Sequence, residues 1–357
     1  MSFKDDFNVF VGGKSGIFKG VKVKEKSLVM KNIQNLISIT DNHEVTHMTW
    51  GDCDEREILM ACGSKNVRSV KTYDTEHHAF KTSFICDVGE GSINGIARYS
   101  GKILTAVQSG HIKLWNHDKN DEYLVNVGEN LFRMRQSHHQ ENIIATGGLE
   151  NPLKLFDLEK KANTFTAKNV SHDWLQLRVP VCINDLCFLD NDKQIATGGK
   201  YGHIRFYDTK AQRRPVINLE LKEESVLAIA ACPQKKQIVC GTGKGRLNLI
   251  DLRKTGQILN TYKGPVGGVS AVAMSKVEPC LVSISLDRYL YVHDLHSKAL
   301  LKKVYLTSKL SSMVLRSEFS LKETEKQETS YNSENDGDSI FEGSEEEYSN
   351  SNDDEEM

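Results

Sequence analysis

Short apolar runs recur along most of the chain, separated by small and polar residues, and within each run apolar and polar positions alternate. Seven copies share one shape: an apolar run, a turn of Gly, Ser, Asn, Lys or Asp, then an alternating run closing on a charged or polar residue. They read VFVGGKSGIFKGVK from Val9, ILMACGSKNVRSVKTYD from Ile58, ILTAVQSGHIKLWN from Ile103 and IIATGGLENPLKLFD from Ile143. The series continues with IATGGKYGHIRFYD from Ile195, IVCGTGKGRLNLID from Ile238 and LVSISLDRYLYVHD from Leu281. The closing residues are Lys22, Asp74, Asn116, Asp157, Asp208, Asp251 and Asp294, at intervals of 52, 42, 41, 51, 43 and 43. Alternation on both sides of a short turn predicts a hairpin. Most copies have a further alternating run before them (VTHMTW from Val45, VLAIAAC from Val226) and another after them (AFKTSFICDV from Ala79, QILNTY from Gln257). Four strands at a fixed period predict the blades of a propeller, so the expected fold is all-β with seven blades.

The ends predict how the ring closes. The first copy begins almost at the N-terminus and lacks the strand that precedes the others. After the seventh copy come a fourth strand near Leu300 to Leu306 and an unassigned strand-like run, Leu310 to Leu315. That run is expected to complete the first blade, which removes an exposed sheet edge. The propeller is then one domain over residues 5–317. Residues 318–357 hold 15 Asp and Glu against 2 Lys and have no apolar periodicity. Such composition predicts a disordered acidic tail. The formal charge of −2 therefore joins a body of +11 to a tail of −13.

Composition narrows the function. The longest apolar run, Val226 to Cys232, is far short of the roughly 18 residues that span a bilayer. Asp5 and Asp6 exclude a signal-peptide reading of the N-terminus, and eight cysteines in so long a chain suggest free thiols in a reducing compartment. No membrane partner is expected. Gly13-Lys14-Ser15 and Gly241 to Gly245 fall at hairpin turns, and neither opens a helix as a phosphate loop does. The cysteines form no Cys-x-x-Cys, and His77-His78 and His138-His139 lack a ligand-spaced partner. Asp287 reads as a hairpin aspartate that hydrogen-bonds internally. No catalytic residue, metal ligand or cofactor is expected, and the chain does not read as an enzyme.

Basic and aromatic residues outside the repeat unit are the candidates for binding. The longest insertion, Ala167 to Pro180, lies between blades four and five and contains Lys168, Asn169, Asp173, Trp174 and Arg178. A Trp and an Arg on an irregular loop of a rigid scaffold are the usual chemistry of an interface anchor. Arg133, Arg135 and Gln136 lie on the inner strand of blade four, where alternation aims both arginines the same way. Arg213 and Arg214 enter an outer strand. These ten residues form the expected partner-binding set.

The repeat resembles the WD repeat with its signature dipeptide eroded to Trp115-Asn116, Phe156-Asp157, Tyr207-Asp208, Ile250-Asp251 and His293-Asp294. More specific stretches are Gly16 to Val21, Arg133 to Gln136, Ala145 to Gly148 with Glu150-Asn151, Ala167 to Pro180, Arg213 to Val216 and Lys303 to Leu306. Together they resemble the WD repeat-containing protein 74 family, nucleolar assembly factors of the large ribosomal subunit, from about residue 8 to about 312. The resemblance implies a non-catalytic seven-bladed scaffold of nucleus and nucleolus, monomeric outside its particle. It implies contacts with other large-subunit assembly factors and pre-ribosomal RNA, and release by an AAA-type ATPase. Family members often end in a basic cluster, whereas this chain ends Asp353-Asp354-Glu355-Glu356-Met357. The rival reading, a WD-repeat substrate receptor of a ubiquitin ligase, rests on Ile250-Asp251-Leu252-Arg253, which fits the tail of a Trp-Asp-x-Arg box with the Trp lost.

Overall fold

The computed structural model describes residues 7–34, 43–63, 67–116, 122–233, 236–253 and 255–322. They form 28 strands, numbered β1 to β28 in chain order, in seven four-stranded antiparallel sheets. Blade one orders as β28 (Leu310–Leu315), β1 (Val9–Gly13), β2 (Phe18–Val23) and β3 (Leu28–Asn32). Each later blade is a simple meander of consecutive strands whose innermost member comes first, blade three being β8 to β11. The remaining inner strands are β4 (Val45–Trp50), β8 (Ile93–Tyr99), β12 (Leu131–Gln136), β16 (Ile183–Phe188), β20 (Val226–Ala231) and β24 (Val269–Met274). Each packs on the next, and β28 packs on both β24 and β4, so the ring is closed.

Ring closure ties the two ends of the chain. In β28, Leu315 pairs with Val9 and Val314 with Phe10. The Arg316 guanidinium donates to the Phe7 carbonyl at 2.9 Å, and the Trp50 indole of blade two donates to the Leu315 carbonyl at 3.0 Å. Packing continues past the boundary that composition suggested: Phe319 and Leu321 are buried in the seam between blades seven and one. The Glu278 carboxylate accepts from the Leu321 amide and the Ser320 hydroxyl there. The acidic segment expected as a disordered tail lies, beyond Lys322, outside the described residues.

The core consists of seven apolar clusters, and each straddles the seam between two neighbouring blades. A blade alone cannot bury its apolar faces, so the sheets are stable together and not singly. Glycines one residue before the end of the second strand serve these seams. A Cβ on Gly198 would stand 2.5 Å from Val226, and one on Gly241 would stand 2.6 Å from Val269, each at the start of the next inner strand.

Two polar devices repeat around the ring. Every inner strand carries a β-bulge at its second residue, which leaves that side chain free of the regular pleat. Where it is polar, it donates to the carbonyl that opens the next inner strand. The donors are Thr46 to Ile93 at 2.9 Å, Asn94 to Leu131 at 2.6 Å, Asn184 to Val226 at 2.8 Å, Ser270 to Leu310 at 2.8 Å and Ser311 to Val45 at 2.5 Å. Phe132 and Leu227 occupy the two remaining bulges. At the outer turns, the closing aspartates accept backbone amides two or three residues on, as Asp74 does from Glu76 and His77 and Asp294 from His296 and Ser297. That is the physical use of the acid in the eroded dipeptide, while Phe156, Tyr207, Ile250 and His293 beside it are buried.

Candidate docking site

The insertion leaves β15 (Ala162–Thr166), the outer strand of blade four, and returns to β16. Its base is fixed. The Ala167 amide donates to Leu153, and the Lys168 amide donates to the Arg213 carbonyl at 2.8 Å. The Asn169 side chain clamps both limbs, donating to the Val179 carbonyl at 2.6 Å and accepting from the Arg205 guanidinium at 3.1 Å. The Arg178 guanidinium meets Glu150 at 2.6 Å. The other Glu150 oxygen accepts from the Val181 amide, so one hairpin carboxylate anchors the returning limb twice.

The tip is a self-contained turn. The Asp173 carboxylate accepts from the Leu175 amide at 2.9 Å and the Leu177 amide at 2.8 Å. The Asp173 backbone also bonds Leu177 and Gln176, with Gln176 at a φ of 61°. A short Asx side chain that captures amides two and four residues on stabilises such a turn without help from the core. It presents three large apolar side chains to water: Trp174 is 87% exposed, Leu175 54% and Leu177 59%. Trp174 fills no gap under its own loop. Beside the base, Arg213 donates to the Thr166 carbonyl at 2.9 Å and, like Arg214 and Lys168, is exposed.

The structure does not bring the other three candidates to this site. Arg133 and Arg135 do point the same way, but toward Asp185 on the inner strand of blade five, at 3.0 Å and 3.2 Å. Asp185 is almost wholly buried and also accepts from the amides of Leu186 and Ile229. Burial pushes its carboxyl up, but Arg135, Arg133 and the two amides outweigh it and hold the group below the usual carboxylate range. Arg133 further donates to His47 Nδ1 at 3.1 Å. A guanidinium can only donate, so that nitrogen accepts and the imidazole is neutral. Burial, followed by the charges of Arg133 and Arg135, holds His47 well below the ordinary imidazole value. Gln136 donates to the Arg98 and Glu141 carbonyls, both at 2.7 Å. These residues join blades two, three, four, five and six.

Sequence reasoning missed Asp185, Glu150 as an anchor, and Arg205. An acid within the apolar run VCINDLCF was the available signal for Asp185, since a carboxylate there needs a buried cationic partner. Burial pushes the Cys62 thiol up to about 11 and those of Cys240 and Cys280 to about 12, as small buried hydrophobes require. Asp287 accepts from the Val266 and Tyr289 amides and the Tyr291 hydroxyl. Arg253, the key residue of the rival reading, is clasped by Asp251 two residues before it.

Comparison with known proteins identifies the family. The family model described as WD domain, G-beta repeat matches residues 177–208, from the returning limb of the insertion through the third strand of blade five. The WD repeat-containing protein 74 of Bos taurus is 35% identical over 317 residues, covering 86% of this chain and 80% of that protein. The protein of the same name from Homo sapiens gives the same figures. Ribosome biogenesis protein NSA1 of Meyerozyma guilliermondii is 27% identical over 209 residues, 49% of this chain and 52% of that one. On the identity and coverage of the two mammalian proteins, the chain belongs to the WD repeat-containing protein 74 family.

Proposed function

We propose that this protein is a non-catalytic scaffold in nucleolar assembly of the large ribosomal subunit, and that it docks on precursor particles through the insertion between blades four and five. The observation that carries the reading is the tip of that insertion. Asp173 spends its carboxylate holding a turn whose only output is an exposed Trp174 flanked by Leu175 and Leu177. Exposing a contiguous apolar cluster on a rigid turn costs solvation, and a partner pocket recovers it. Lys168, Arg213 and Arg214 stand exposed at the base of the same insertion, and their positive charge suits a partner with an acidic edge. The membership of the family and the likeness to ribosome biogenesis protein NSA1 support the assembly process. Within this reading the AAA-type ATPase implied by the resemblance acts on the docked state. Purification of the tagged protein from cells tests it. Pre-ribosomal RNA and large-subunit assembly factors should accompany it, and recovery of a cullin adaptor in their place would overturn the reading.

A further inference from the structure

In a four-stranded meander, the turn between the second and third strands lies at the same end of the ring as the connection to the next blade. That end is divided by charge. Blade five offers Lys200 in its turn and Lys222 in its connection onward. Blade six offers Lys244, Arg246 and Lys263. Blade seven offers Arg288 and Lys309, and blade one adds Lys14. All eight are exposed. The acids among them are fewer: Glu220 and Glu223 are exposed beside Lys222, while Glu224 is buried against Arg246 and Asp287 accepts from two amides and a tyrosine. Blades two and three carry the opposite sign at this end among the described residues, with Asp87, Glu90 and Glu129 exposed, although Lys113 of blade three reaches Asp87 at 3.6 Å. Arg68, in the blade-two turn, is buried and donates to the carbonyls of Gly89 and Gly91. At the other end of the ring both signs interleave, as in Lys24-Glu25-Lys26 and Glu159-Lys160.

Part of the basic arc is concave. A groove of about 520 Å³ opens between blades five and six, and Lys222, Lys244, Arg246 and Lys263 stand along it with Glu220 and Glu224. Tyr201, next to Lys200 in the turn of blade five, is exposed, a flat ring on which an unpaired base can stack.

The geometry points to the arc over blades five, six, seven and one as a surface that tracks the sugar–phosphate backbone of RNA. Cations spread over four successive blades suit a partner with charge repeated along its length. Lysines, the majority here, meet phosphate as point charges and read no sequence. The acidic sector over blades two and three repels the same polyanion, so it fixes which side of the ring the RNA approaches. This inference rests on the assembly reading only for the RNA being pre-ribosomal; the surface itself is argued from charge and shape.

The test is a salt titration of binding by the purified full-length protein, with a fluorescein-labelled stem-loop RNA carrying a single-stranded extension. The arc variant carries Lys222→Glu, Lys244→Glu and Lys263→Glu. The control carries Lys26→Glu, Lys210→Glu and Lys298→Glu, the same charge change on exposed turns at the opposite end. The arc variant should bind at least about tenfold more weakly at low salt, with a salt slope shallower by about three, while the control stays within about twofold. All six positions are exposed, so unchanged thermal midpoints verify the fold. Trp174→Ala should bind this RNA as wild type does, so loss of particle docking and loss of RNA binding are separable. Equal weakening by both triple variants would overturn the proposal. So would a labelled polyglutamate peptide binding the arc as tightly as the RNA, because the surface would then select an acidic protein segment.

Discussion

The inner ring around Asp185 and the insertion between blades four and five use similar residues to opposite ends. In the ring, two arginines, an aspartate and a histidine turn inward and satisfy one another. In the insertion, Asp173 satisfies backbone amides alone, Asn169 and Glu150 satisfy the backbone and one arginine each, and what is left over faces water: Trp174, Leu175 and Leu177. The first arrangement converts charge into cohesion between blades. The second uses hydrogen bonds to hold apolar surface away from any core. A group whose partners all lie within the ring is committed to stability, and a large side chain held out by a rigid turn is committed to something outside it.

Substitutions that separate the two should show effects of descending size. Asp185→Ala leaves two guanidiniums and two amides without their acceptor, and losing one partner of a buried ionic group typically costs about 3–5 kcal/mol. Chemical denaturation should register that loss directly. Were Asp185→Ala nearly neutral, the ring would owe little to the cluster, and Arg133 and Arg135 would return as candidates for partner contact.

Asp173→Ala should act on the insertion alone. It removes the acceptor for two amides at the tip while leaving Trp174 in place. The thermal midpoint should stay within about a degree, whereas affinity for precursor particles should fall about tenfold because the anchor is no longer pre-organised. A fallen midpoint with unchanged affinity would reverse the assignment.

The smallest effect is one of pH and belongs to the ring. His47 is held neutral when folded and protonates freely once the chain unfolds. The unfolded state therefore takes up the proton first as pH falls, and stability declines with it. The contribution is complete above the ordinary imidazole value of 6.5 and is lost as pH drops from there toward the depressed folded value. Asp185 acts in a separate window: its contribution persists above the ordinary carboxylate value of 3.8 and fades as pH falls toward its lower folded value. Denaturation of wild type and His47→Gln between pH 7 and 5 should show the variant losing less stability over that interval. Parallel curves would mean that His47 carries its proton in the folded ring.

These two regions also mark how far the amino-acid sequence could be read. Hairpins, blades and closing aspartates were legible because each depends on alternation and on amides within three residues. The fate of Arg133 was not, since its partners Asp185 and His47 lie in other blades, 52 and 86 residues away, and meet it only when the ring closes. The burial of Phe319 and Leu321 was hidden for the same reason: two apolar residues at the edge of an acidic stretch found a seam formed by distant strands. The insertion was legible as irregular and aromatic, and Asp173 with two amides shortly after it is a local turn signal. What no local pattern contained was the exposure of Trp174, which depends on Asn169 reaching Arg205 and on Glu150 reaching Arg178.

Trp174→Ala, measured at once for particle association and for thermal midpoint, bears most directly on docking through the insertion. Truncating a central interface aromatic typically costs about 2 kcal/mol, roughly thirtyfold in affinity. The variant should move from large-subunit precursor fractions to free protein on a sucrose gradient while melting at the wild-type temperature. A variant that still co-sediments with those precursors as wild type does, at an unchanged midpoint, would contradict the account.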